Sequence, residues 1–276
     1  MNNIKIVVDS SSNLTELSGV PFASAPLKII TDNKEYTDDS CLDVNKMADA
    51  LYHYNGKSST SCPNISDWLT AFGDAEEIIC LTITSMLSGS YNSACKAKEA
   101  YEQEHPTRRV YVIDTRSAGP EIALVAYKAQ ELIAGGLDFD SVINSLKSYK
   151  TDLLFVLESM KNLANNGRVS KIAAAAAGVL GVRAIGKASD EGTLELLSKS
   201  RGASRSTDAV VKHMADCGYS GGKVRIAHCQ NDSGAYELSL KIKRKFPSTN
   251  KIIIEECRGL CSFYAEKGGM LIGFEI

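Results

Sequence analysis

Residues 78–97 read IICLTITSMLSGSYNSACKA, a stretch dense in hydroxyls where an apolar run gives way to a small-residue helix. Thr82, Thr84, Ser85, Ser88 and Ser90 crowd the handover, with Gly89 among them. The first turn of a helix carries four N–H groups without intrahelical partners, and the helix dipole favours negative charge there. Hydroxyls and amides so placed suit an anion. Ser and Thr also serve as ordinary N-caps, and both readings stand at this level. Two further polar loops follow apolar runs: Asp9 with Ser10, Ser11 and Ser12 after IKIVV, and Asp114 with Thr115 and Ser117 after VYVI.

The other reactive groups assemble no catalytic constellation, and no catalytic residue is expected. His53 and His105 lie among polar residues, His213 sits beside Lys212 on a helical stretch, and His228 ends an apolar run where it could face a cleft. The pairs Asp38-Asp39 and Glu255-Glu256 are adjacent, so in a strand they point to opposite faces and read as surface charge. GYSGGKV does not keep P-loop spacing and runs into a strand, and neither G-x-G-x-x-G nor G-x-S-x-G occurs.

Bulk properties narrow the classes further. A chain of 276 residues favours two domains. A formal charge of −2 leaves no basic footprint, so nucleic acid is not an expected partner. No apolar run approaches the roughly 18 residues of a membrane span, which leaves at most transient membrane contact. The opening MNNIKIVVDSS lacks a signal peptide's apolar region, and a cytoplasmic location is expected. The eight cysteines are scattered without a CxxC pair, and read as reduced thiols with no metal site and no cofactor.

The elements that must position the hydroxyls follow from the apolar pattern. IKIVVD, EIICLT and RVYVID read as strands, each followed by a polar loop and a helical segment. Repeated strand–loop–helix units argue for an open α/β sheet, whose ligands sit beyond the carboxyl ends of its strands. SSTSCPNIS reads as a hydroxyl-rich loop, leading to a short helix capped by Ser66 and carrying Trp68, Leu69 and Phe72 on one side. Beyond residue 155 the texture becomes α+β, with five alanines at 173–177, two strands joined at Asp190-Glu191-Gly192, and later strands KVRIAHC, KIIIEEC and MLIGFEI. The expected division is 1–156, an N-terminal α/β domain, and 157–276, a C-terminal α+β domain.

Taken in order, VVDSSSNL, TSCP, ITSMLSGSYNSA, VIDTRSA, NGRVSK, SRGASR and GGMLIGFE resemble the DegV family over nearly the whole chain. The resemblance implies two domains with a tunnel between them, the first resembling part of dihydroxyacetone kinases. It implies one bound long-chain fatty acid, with the chain serving as the lipid-binding, non-catalytic subunit of a bacterial fatty acid kinase. The partner subunit would bind ATP and phosphorylate the presented carboxylate. Thr60 and Ser61 match the family's Thr-Ser-x-Pro segment, and Ser88, Gly89 and Ser90 its Leu-Ser-Gly-Thr-Tyr loop, with serine for threonine at 90. The resemblance implies that those segments hold the carboxylate. Arg168 matches the arginine of Gly-Gly-Arg-Ile-Ser and Arg201 an arginine after the hairpin, and the resemblance associates both with kinase docking or phosphate placement. Many members carry a carboxylate-touching histidine before the last strand, where this chain sets Tyr264. The tunnel is expected to take its lining from the alanine run and the Trp68 helix. Alternatives are a phosphotransfer enzyme related to dihydroxyacetone kinase, and a sensor or scaffold stabilised by lipid.

Overall fold

A computed structural model describes residues 4–170 and 181–276. Its first sheet is parallel, in the order β2-β1-β6-β7, built from β1 (Ile4–Asp9), β2 (Phe22–Ala25), β6 (Glu77–Thr82) and β7 (Arg109–Asp114). The middles of these strands are mostly apolar because both faces of the sheet are covered. Ile4, Ile6, Val8, Ile79 and Leu81 pack on one side with α4 (Pro120–Ala134) and α5 (Phe139–Ser148). Val7, Ile78 and Cys80 pack on the other with α2 (Ile65–Phe72) and α3 (Ser90–Glu104). Helix α2 is capped by Asn64 in a capping box with Asp67, not by Ser66, because the amide at the third helical position is the one a cap oxygen reaches.

A small antiparallel sheet, β4-β3-β5, joins β3 (Lys28–Thr31), β4 (Glu35–Thr37) and β5 (Ser58–Ser61) beside α1 (Val44–Tyr52). The hydroxyl-rich stretch expected as a loop is therefore strand β5. Its pairing with β3 supplies what the sequence SSTS lacks in strand propensity.

The second sheet has six strands in the order β10-β9-β8-β13-β11-β12. They are β8 (Thr151–Leu157), β9 (Val182–Ala188), β10 (Leu194–Arg201), β11 (Gly222–His228), β12 (Thr249–Glu256) and β13 (Met270–Glu275). Leu154 and Val156 of β8 face α7 (Ala203–Asp216) and α8 (Asp232–Lys245). Two shorter helices, α6 (Lys161–Asn165) and α9 (Gly259–Ala265), complete the described α-helices, and one 3-10 turn covers Ser10–Ser12. Strand β8 corrects the expected boundary after residue 156: it pairs with β9 and β13, so the second sheet already begins at Thr151. Helix α4 of the first half packs on β13 across Gly273, where a β-carbon would lie 2.6 Å from the amide nitrogen of Glu121.

Asp38 is a second correction. It is buried, and its carboxylate accepts the amides of Gly259 and Leu260, both at 2.8 Å. A carboxylate at the first turn of α9 both caps free N–H groups and meets the positive end of the helix dipole. The alanines at 173–177 lie outside the described residues.

Candidate functional site

Between the sheets lies a cleft enclosing about 710 Å³ of space, solvent at its mouth included. Strand alternation builds one wall. Leu153, Phe155 and Leu157 stand two residues apart on β8, and Leu271 of β13 is in register with Phe155. The loops after the parallel strands supply Ser11, Ile83 and Ala118 at the carboxyl ends of β1, β6 and β7. Leu260, Cys261, Tyr264 and Ala265 of α9, with Leu163 of α6, close a further side. Trp68 does not take part: it is fully buried on the far side of the first sheet, between α2 and α3, because its helix covers the opposite face.

Polar groups gather at one end. The hydroxyls of Thr60 and Tyr264 lie 2.8 Å apart, and whichever donates, the other keeps a proton to give. Ser88 Oγ accepts the Ser90 amide at 3.2 Å, so its own O–H remains a donor. Arg168 donates from Nε to the Leu87 carbonyl at 3.1 Å and from a terminal nitrogen to the Asn166 carbonyl at 2.5 Å. Its guanidinium carbon stands 5.9 Å from the Tyr264 ring centroid. Among the described residues that line the cleft, Arg168 is the one charged side chain. Burial pushes the Tyr264 hydroxyl above its ordinary pKa, against the Thr60 bond and the Arg168 charge, so it stays a neutral donor at pH 7. The arrangement offers cationic and hydroxyl donors at the end of an apolar channel. Chemically, that suits an anionic head on a hydrocarbon tail.

A model described as "Uncharacterised protein, DegV family" matches residues 3–275. The chain belongs to the DegV family. A DegV domain-containing protein of Streptococcus pneumoniae strain R6 is 41% identical over 278 residues, covering 99% of both chains. The crystal structure of a DegV family protein from Eubacterium eligens loaded with heptadecanoic acid has a TM-score of 0.96 and 42% identity, with 99% of each chain covered. The Streptococcus pneumoniae Fatty Acid Kinase (Fak) B3 protein, loaded with linoleic acid, is equally similar at a TM-score of 0.96, 41% identity and 99% coverage of each chain.

Against the DegV segments, the structure brings Thr60, Ser88, Tyr264 and Arg168 to one end of the cleft. It does not bring the other three expected carboxylate residues there. Ser61 follows Thr60 on β5 and so points to the opposite face. Gly89 lies at the outer start of α3, beside Cys62. Ser90 is fully buried and donates its hydroxyl to Asp9 Oδ2 at 2.5 Å. The loop also consumes its own amides: Leu87 and Ser88 both donate to the Thr84 carbonyl, and Met86 to Thr84 Oγ1. The hydroxyls of Thr84 and Ser88 each accept an amide two residues on and so hold the turn, whatever else they bind. Arg201 is exposed at the end of β10 and stands outside the cleft lining. His228, which could have faced the cleft, instead accepts the Asn231 amide at Nδ1, and its Nε2 lies 3.4 Å from Asp232.

Sequence reasoning placed Asp9 in a polar loop but gave it no role of its own. Completely buried, it accepts the amides of Ser11 and Ile83 and the hydroxyls of Ser11 and Ser90. It thereby ties the loops after β1 and β6 together beneath the cleft. Burial raises its pKa, and the four donors oppose the rise. Its signal was the position itself, an acid ending a buried strand immediately before three serines.

No helix among the described residues is long and apolar enough to cross a membrane. Among the same residues, no group of three or more His, Cys, Asp or Glu could hold a metal ion.

Proposed function

We propose that this chain holds one long-chain fatty acid in the cleft and presents its carboxylate to a separate, ATP-dependent fatty acid kinase subunit. The observation that carries the reading is a cleft lined by leucines whose charged lining side chain, Arg168, sits beside Thr60, Ser88 and Tyr264. The relatives from Eubacterium eligens and Streptococcus pneumoniae, each loaded with a long-chain fatty acid, support it.

The tail supplies affinity. Each buried methylene contributes about 0.8 kcal/mol, so a chain of about sixteen carbons gains on the order of 12 kcal/mol before ordering costs. The head group fixes direction: Arg168, the Ser88 hydroxyl and the Thr60–Tyr264 pair give a carboxylate three donors, enough to keep it ionised. In this reading Arg168 belongs to the carboxylate site, and exposed Arg201 serves kinase docking. Ser61, Gly89 and Ser90 act behind the site as its frame. The chain works in the cytoplasm without catalytic groups or a cofactor of its own, and the phosphoryl-transfer machinery is the partner's.

The test is exchange followed by turnover. The purified protein takes up added fatty acid and, on addition of a fatty acid kinase catalytic subunit and ATP, yields acyl phosphate trapped as its hydroxamate. Lipid that neither exchanges nor reacts contradicts a carrier, and favours a lipid-stabilised scaffold.

A further inference from the structure

The second sheet ends on β12, whose outer edge pairs with no strand among the described residues. Unpaired edges are sites for strand addition unless proline, a bulge or a covering element blunts them. Strand β12 reads TNKIIIEE, eight residues without proline. Its single pairing irregularity with β11 lies at the Gly222 end, away from the isoleucines. Lys251 and Ile254 are exposed, Ile254 at 38%.

Residues 251–255, Lys-Ile-Ile-Ile-Glu, are self-complementary. In an antiparallel pair, directly opposed residues share a face of the sheet. A two-fold axis through Ile253 keeps that rule and sets Lys251 opposite Glu255 of the second copy, and Glu255 opposite its Lys251. Ile252 then meets Ile254, and Ile253 meets its own counterpart. Two opposite-charge pairs thus flank an apolar centre. Lys251 forms no ion pair within the chain among the described residues, whereas Glu255 already binds Arg225.

Helix α8 extends the same surface. It covers β11 and β12, while α7 lies towards β10. Lys241 reaches Asp208 of α7 at 2.6 Å and Glu237 approaches Thr207, so those residues mark the flank facing α7. Leu238 and Ile242 mark the side on the sheet. Helical geometry turns Tyr236 towards the flank away from α7, and sets Leu240, one turn on, on the solvent side opposite the sheet. They are 62% and 51% exposed, large apolar groups with no cover. Antiparallel apposition of two α8 helices sets the acidic start at Asp232 near the basic end at Lys243, Arg244 and Lys245 of the second copy. Strand pairing and strand charge match under one two-fold axis, and the exposed apolar group and end charges of α8 lie on the helix that covers the same edge.

We propose that β12 and the outer flank of α8 form a two-fold interface with a second copy of this chain. The proposal is independent of the lipid reading. Sedimentation velocity of the whole chain, up to about 200 µM, tests it. The expected result is a concentration-dependent shift towards twice the 29.7 kDa chain mass. Lys251→Glu, which opposes two carboxylates at each end, is expected to weaken the dimer about tenfold or more, as is Tyr236→Lys. Both positions are exposed, and circular dichroism checks that the variants are folded. A chain that stays monomeric over the whole range overturns the proposal. So does a dimer indifferent to both substitutions. Capture of another protein by this face, with the chain itself monomeric, counts against the second copy as occupant.

Discussion

Arg168 stands between two donors of the cleft, hydrogen-bonded to the carbonyl beside Ser88 and lying near the Tyr264 ring. A charge-assisted hydrogen bond contributes roughly 1.5–3 kcal/mol, so Arg168→Ala is expected to weaken fatty acid binding about 10- to 100-fold. Tyr264→Phe removes one hydroxyl and leaves Thr60 to donate alone, with an expected loss of about tenfold or less. Isothermal titration with delipidated protein measures both. A titration of Arg168→Ala indistinguishable from the parent removes Arg168 from the site. A different residue governs pH. Glu121 is buried at the start of α4 with hydroxyls of Ser117 and Thr151 on its carboxyl, and burial raises its pKa to about 7. A carboxyl whose folded pKa exceeds its unfolded value stabilises the fold below the unfolded value, and that stability is lost as pH rises through the folded one. Between about pH 4.5 and 7 the loss is on the order of 3 kcal/mol. Glu121→Gln is expected to flatten the fall in denaturation midpoint over that window, and an unchanged pH profile contradicts the assignment. The resemblance pointed to Thr60, Ser88 and Tyr264, and all three line the cleft, because short segments keep their place along the chain. Asp9 and Asp38 were not, since burial of an acid is decided by which distant loop donates to it: Ile83 and Ser90 for Asp9, Gly259 and Leu260 for Asp38.

Two elements carry the cleft, β8 and α9. Strand β8 is apolar on both faces because one meets α7 and α8 while the other meets the cleft. Substitutions on the two faces should therefore separate stability from binding. Leu154→Ala is expected to cost about 2–5 kcal/mol of stability with binding retained. Ala118→Phe, opposite β8 in the cleft lining, should displace the tail with a smaller effect on the fold. Chemical denaturation and lipid occupancy read the two outcomes, and an Ala118→Phe protein with full occupancy contradicts this lining. The parallel strands β1, β6 and β7 could be read directly from their apolar runs. Strand β5 could not, because SSTS earns its place by pairing with β3. Strand β8 was placed in the wrong half for a related reason: adjacency to α5 along the chain says nothing about which sheet completes it. The Trp68 helix was assigned to the cleft on its apolar side alone, and an amphipathic stripe does not reveal which face of a sheet it covers.

At the scale of the whole molecule, the two halves share the cleft between them. Ser11, Ile83 and Ala118 come from one, Leu153, Phe155 and Leu271 from the other, and α9 from near the chain's end reaches back to Asp38. A ligand bridging both halves binds the folded state alone, and at a thousandfold excess over Kd adds about 4 kcal/mol. The most direct measurement is mass analysis of an organic extract of the purified protein, set against a matched blank. One long-chain fatty acid per chain is the predicted result. A protein that yields no lipid and takes up none when fatty acid is added contradicts the account, and returns the hydroxyls of residues 82–90 to turns and caps alone.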